Sequence, residues 1–148
     1  MYQIFLYLIC TLIFSPSYFK DCKDCSRKQM MEHYRPMIEY VSLQTDLPQH
    51  FIWSYFIMET GGSSNALVRH NNPAGIKNPS KPLGDGRYAI ETYTTPVQGI
   101  EQWVRVLSLG IYKEAKAHKG EELYKEMGYI YHPNSSHILR YQVGKAWK

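Results

Sequence analysis

A chain of 148 residues, 44% hydrophobic and 20% charged, has room for one core and too much apolar content for wholesale disorder. Its net charge of +4 is scattered, with no run of five or six Lys and Arg, which excludes the concentrated basic patch of a nucleic-acid binder. Thirteen Tyr and three Trp stand out, because rings with a polar edge can fill a core or stack against sugar faces.

From the N-terminus, Ile4 to Phe14 is an apolar run that a helix would extend over roughly 16 Å, about half the hydrocarbon core of a bilayer. Ser15 and Ser17 then supply small residues at the spacing of a signal cleavage site, although Met1-Tyr2-Gln3 lacks the usual cation. Residues 1–17 therefore read as a secretory signal peptide. The expected location is the periplasm, the cell envelope or the exterior. Residues 18–27 read as a polar lead-in. Within it Cys22 and Cys25 form a lone C-x-x-C, without the second pair that a zinc site needs. A local disulfide formed after export, or two idle thiols, are the readings left open.

The folded domain is expected over residues 28–148. From Lys28 to Ser42, Met30, Met31, Tyr34, Met37, Ile38 and Val41 recur at steps of three and four, the stripe of an amphipathic helix. Pro36 predicts a kink there, or two short helices. Asp46 has N-cap chemistry and Pro48 suits a first turn. The helix they open, Pro48 to Glu59, is apolar nearly all round and is predicted to be the central buried one, stopped by Gly61-Gly62. Ser63 or Ser64 caps a shorter helix through Arg69, and Asn71-Asn72-Pro73-Ala74-Gly75 is turn chemistry. Residues 78–86 read as a surface loop, and Arg87 to Tyr93 as a strand, half of a small hairpin. Thr95-Pro96 opens a further helix facing Val97, Ile100, Val104 and Leu107 or Leu109 inward. Short helices near residues 121–127 and 135–147 finish the chain. The class is mainly α with a small β-hairpin lobe.

Glu59 ends the central helix after a run of large apolar residues. Burial beside rings and the negative helix C-terminus both disfavour a charged carboxylate there. A carboxylic acid kept protonated near neutral pH is what a departing glycosidic oxygen needs. Position alone does not separate this role from that of a Glu merely surfacing at a helix end. The stretch from Glu59 to Lys77, ETGGSSNALVRHNNPAGIK, resembles the segment around the catalytic glutamate of glycoside hydrolase family 73, the glucosaminidases of the lysozyme-like superfamily. Glu59-Thr60-Gly61, Ser63-Ser64, Asn71-Asn72 and Gly75-Ile76-Lys77 carry the likeness, with Pro73-Ala74 replacing the family's usual aromatic. Ile90 to Ile100 is similar to the family's strand and helix start, with Tyr93 at its aromatic position. Gly128 to Asn134 is similar to its Gly-Tyr-Ala-Thr-Asp-Pro-Asn segment, with His132 in place of Asp and Ser135 in place of a following Tyr.

The resemblance implies a lysozyme-like α+β fold whose hairpin lobe flanks a cleft. It implies an endo-β-N-acetylglucosaminidase that cuts β-1,4 bonds of peptidoglycan glycan strands. Glu59 would be the general acid and Tyr129 would support the sugar or its acetamido group. Asn72, Gly75 and Lys77 would shape the turn beside the acid, and Tyr93 and Tyr131 count with them as substrate-binding residues. Glycosidases normally pair two carboxylates. Glu91 is the favoured partner, because alternation puts it on one strand face with Ala89 and Tyr93. Asp85 reads first as a turn residue, and the substrate's own acetamido group could replace a second carboxylate. The six His lack matched spacing, so neither metal nor cofactor is expected. Glycan strands are the expected partner, a secretion-machine or regulatory protein a further candidate, and the chain should act as a monomer. The rivals are a lytic transglycosylase on the same fold and a glycan-binding module without turnover.

Overall fold

A computed structural model describes residues 12–112, 115–120, 122, 123 and 126. The predicted helices of the C-terminal stretch, Tyr129, Tyr131 and most of the predicted signal lie wholly or largely outside them. In chain order the elements are α1 (Arg27–Thr45), α2 (Gln49–Thr60), α3 (Asn65–His70), β1 (Lys77–Pro82), β2 (Tyr88–Ile90) and α4 (Pro96–Leu107). Single 3₁₀ turns follow at Gly110–Tyr112 and Ala115–Ala117. The protein is mainly helical, with one small antiparallel hairpin among the described residues. No helix among the described residues is long and apolar enough to cross a membrane.

α1 starts in a capping box: Gln29 N–H donates to the Ser26 hydroxyl at 3.2 Å, and Ser26 N–H donates to Gln29 Oε1 at 2.8 Å. Its expected stripe is buried at Tyr34, Met37, Ile38 and Val41. The helix is not divided at Pro36. That residue sits on the exposed face, where the carbonyl left without an N–H partner can meet water. Because α1 continues to Thr45, Asp46 is spent as its left-handed C-cap, at φ 55°, and does not cap the next helix. Pro48 stands at that N-cap, its carbonyl accepting from Phe51 and Ile52 N–H.

α2 is the central helix, with Phe51, Ile52, Trp53, Tyr55 and Phe56 all buried. Ser64, not Ser63, caps α3, accepting from Leu67 N–H at 3.2 Å. The region read as a surface loop forms β1 as far as Pro82, and β2 is shorter than the predicted strand. Lys77 pairs with Ile90 and Pro82 with Tyr88, with a shift of register between them. α4 takes Thr95 as N-cap and buries Val97, Ile100, Trp103 and Leu107, while Leu109 is exposed and Val104 only half-buried.

The lead-in departs most from expectation. Tyr18, Phe19 and Cys22 are buried, and Phe14 packs edge-on against Tyr18. Charge at Lys20, Asp21, Lys23 and Asp24 hides this in the sequence, since the charged heads face outward and the rings inward. Tyr34 donates its hydroxyl proton to Lys20 O at 2.8 Å, and Cys22 N–H donates to Gly62 O at 3.2 Å. Cys22 and Cys25 are joined by a disulfide.

Candidate functional site

Glu59 occupies the last turn of α2 and is half-buried. The chain leaves this turn through Gly61 and Gly62, both with positive φ, and Gly62 N–H donates to the Thr60 hydroxyl at 3.0 Å. Across from it lies Gly75, at φ 62°. A Cβ at Gly75 would stand 2.6 Å from Glu59 Oε2, so the carboxylate occupies the space that any other residue would need for its side chain. Two positions sixteen residues apart in the sequence are thereby placed in contact.

Asn72 holds the turn that carries Gly75. It is fully buried, and its Nδ2 donates to Ile76 O and Glu91 O, each at 2.9 Å. Its Oδ1 accepts from Ile76 N–H at 2.9 Å, and Glu91 N–H donates to Ile76 O at 2.9 Å. One amide side chain thus ties the turn beside Glu59 to the backbone of Glu91. Burying a polar side chain costs stability unless it is hydrogen-bonded, as Asn72 is.

Glu91 is half-buried, and its Oε1 accepts from Thr92 N–H at 3.1 Å. Its charge reaches Tyr93: burial first, then Glu91, pushes the Tyr93 phenol up to about 12. β2 ends at Ile90, so the strand alternation expected to put Glu91 and Tyr93 on one face with Ala89 does not extend to them. Tyr93 is anchored to α3, its N–H donating to His70 O at 2.9 Å and its carbonyl accepting from Asn71 Nδ2 at 3.0 Å. Lys77 opens β1 on an exposed position, so its side chain does not pack the turn. Asp85 is an exposed hairpin-tip residue bound to Arg87 through the backbone N–H at 3.0 Å and through Nε at 2.7 Å, contacts that hold its carboxyl below the usual range. The structure therefore sets Glu59 against Gly75 and ties that turn through Asn72 to the backbone of Glu91, with Tyr93 held beside Asn71, and leaves Lys77 and Asp85 at the periphery. Tyr129 and Tyr131 lie outside the described residues.

A second feature was not anticipated. A pocket of about 360 Å³ is lined by Tyr93, Gln98, Glu101, Gln102 and Arg105. The last four repeat at the spacing of one helix face, a signal visible in the sequence but indistinguishable there from an ordinary solvated stripe. Tyr40, from α1, donates its hydroxyl proton to Glu101 Oε1. Gln98 Oε1 accepts from Thr94 N–H at 3.0 Å. Among the described residues no three His, Cys, Asp or Glu side chains gather in a metal-binding cluster.

The chain matches no protein-family model, and comparison with curated proteins and with solved structures returned no match.

Proposed function

We propose that the protein is a peptidoglycan hydrolase of the endo-β-N-acetylglucosaminidase type, built on a lysozyme-like plan, with Glu59 as general acid. The supporting observation is the seating of Glu59 Oε2 against the Gly75 backbone, in a turn that Asn72 also fastens to Glu91. A half-buried carboxyl on a firmly held turn suits proton donation to a leaving sugar oxygen. Glu91 is the candidate second carboxylate, and Tyr129 and Tyr131 belong to the proposed sugar-binding set through the motif that carries them. Action at the cell envelope after export is part of the same proposal. The apolar run of Ile4 to Phe14 supports it, as does the Cys22–Cys25 disulfide, which suits an oxidising compartment.

The direct test is Glu59→Gln, assayed for lysis of cell-wall material in a gel. The variant is expected to keep its circular dichroism spectrum and lose roughly 10²–10⁴-fold in activity, the usual contribution of a general acid. Undiminished lysis would overturn the proposal. A wild type that binds glycan strands and releases no fragments would instead be a binding module.

One observation favours keeping a lytic transglycosylase as the second reading. The Glu91 carboxylate turns one oxygen to the adjacent Thr92 N–H, and a reaction in which the muramic acid hydroxyl attacks needs no second carboxylate. Mass spectrometry of the fragments separates the two, since hydrolysis adds water and transglycosylation leaves an anhydro ring.

A further inference from the structure

The pocket between Tyr93 and the outer face of α4 carries opposite charges that do not neutralise each other. Glu101 and Arg105 stand at i and i+4 with the acid N-terminal, the order in which helical ion pairs form best. Among the described residues, however, Arg105 has no carboxylate partner, and Glu101 is held by the Tyr40 hydroxyl from α1. That bond fixes the Glu101 carboxylate and leaves its second oxygen open. Gln98 spends its carbonyl oxygen on Thr94 N–H, so its NH₂ remains to donate. The Tyr93 ring forms the opposite wall, in a backbone tied to His70 and Asn71. The pocket thus shares its anchorage with the turn that meets Glu59.

A singly charged ligand would satisfy one of the two charges and crowd the other. A ligand with an ammonium and a carboxylate satisfies both. The pocket's volume, about 360 Å³, is at the small end for ligand sites and suits one or two amino-acid residues better than a run of sugars. We propose that this pocket is a subsite for a zwitterionic peptide stem on the glycan substrate, with Glu101 receiving the ammonium, Arg105 the carboxylate, and Gln98 and Gln102 the intervening amide. The identification of the peptide with a wall stem rests on the glycan-hydrolase reading above. The binding chemistry is tested independently of turnover.

The probe is Nα-acetyl-lysyl-D-alanine, which carries one free ammonium and one free carboxylate. Its binding to the full chain is measured by calorimetry beside two capped forms, one acetylated at the side-chain amine and one amidated at the carboxyl. Wild type is expected to bind the zwitterion at least about tenfold tighter than either capped form, the loss of one charge-assisted hydrogen bond. Arg105→Gln should abolish discrimination against the amide, and Glu101→Gln discrimination against the acetylated amine. Arg87→Gln, which removes a cation from the hairpin tip, should leave both intact. Equal affinity for all three ligands, or no saturable binding to wild type, overturns the proposal. Lysis of cell walls with no binding of the zwitterion overturns the subsite alone. Zwitterion binding without lysis supports the subsite and sinks the hydrolase.

Discussion

Gly75 answers two demands at once, a left-handed backbone and an empty space for the Glu59 carboxylate. Gly75→Ala is therefore expected to cost about 1–2 kcal/mol from backbone handedness. It should also push the carboxyl away, lowering the proposed lytic activity by roughly a hundredfold through misplacement. Urea unfolding and gel lysis on the same preparation check this, the activity loss being larger than the small unfolded fraction could explain. At this scale the sequence was informative wherever chemistry sat at short offsets. Glu59 before Gly-Gly and the Asn-rich turn were legible as residue types. That Asn72 bonds to the Glu91 backbone was not, because nineteen residues separate them and an amide side chain does not announce its partner. Asp46 is ambiguous in the sequence for a related reason. Its left-handed tolerance and its capping ability are both real, and only the length of α1 decides which is used.

Among the elements, α4 is seated on the site by Gly99. A Cβ there would fall 1.8 Å from the Asn71 carbonyl oxygen, a backbone atom that cannot yield without shifting the turn. In an ordinary helix interior Gly→Ala would stabilise by about 0.5–1 kcal/mol. Here Gly99→Ala is expected to destabilise by about 1–3 kcal/mol, as overpacking does, and chemical denaturation reads the sign directly. Helix periodicity predicts most of the inward residues of α1 and α4, since burial follows a face that the sequence repeats, but it misses Trp103, which is fully buried. Periodicity was silent about Gly99, where close approach depends on a neighbouring turn. It also underrated β1, whose two prolines lie in a mostly exposed strand, where proline is tolerated.

The whole molecule closes over a cluster of phenols that the lead-in helps to bury. Burial, more than the nearby Asp21 charge, pushes the Tyr34 phenol up to about 12 from an ordinary 10.0. A folded-state pKa raised above the unfolded one keeps its contribution below the unfolded value and loses it as pH climbs through the folded value. Stability should therefore be flat below pH 10 in this respect and decline towards pH 12. Tyr34→Phe is expected to cost about 1 kcal/mol at neutral pH, through the lost bond to Lys20 O, and to make the alkaline decline shallower, Tyr18, Tyr93 and Tyr112 keeping their share of it. Denaturant midpoints at pH 8 and pH 11 for both proteins measure the difference. This global packing was the least legible in sequence, because the charges of residues 18–27 masked rings that turn inward. The clamp at Asn72 has a mechanical consequence as well. With Ile76 and Glu91 cross-bonded at the root of the hairpin, the lobe has no free pivot there. Any bending of the lobe has to come nearer the tip, where Asp85 and Arg87 make an exposed fastening. Insertions in that tip should change the reach of the hairpin and leave the turn beneath Glu59 untouched.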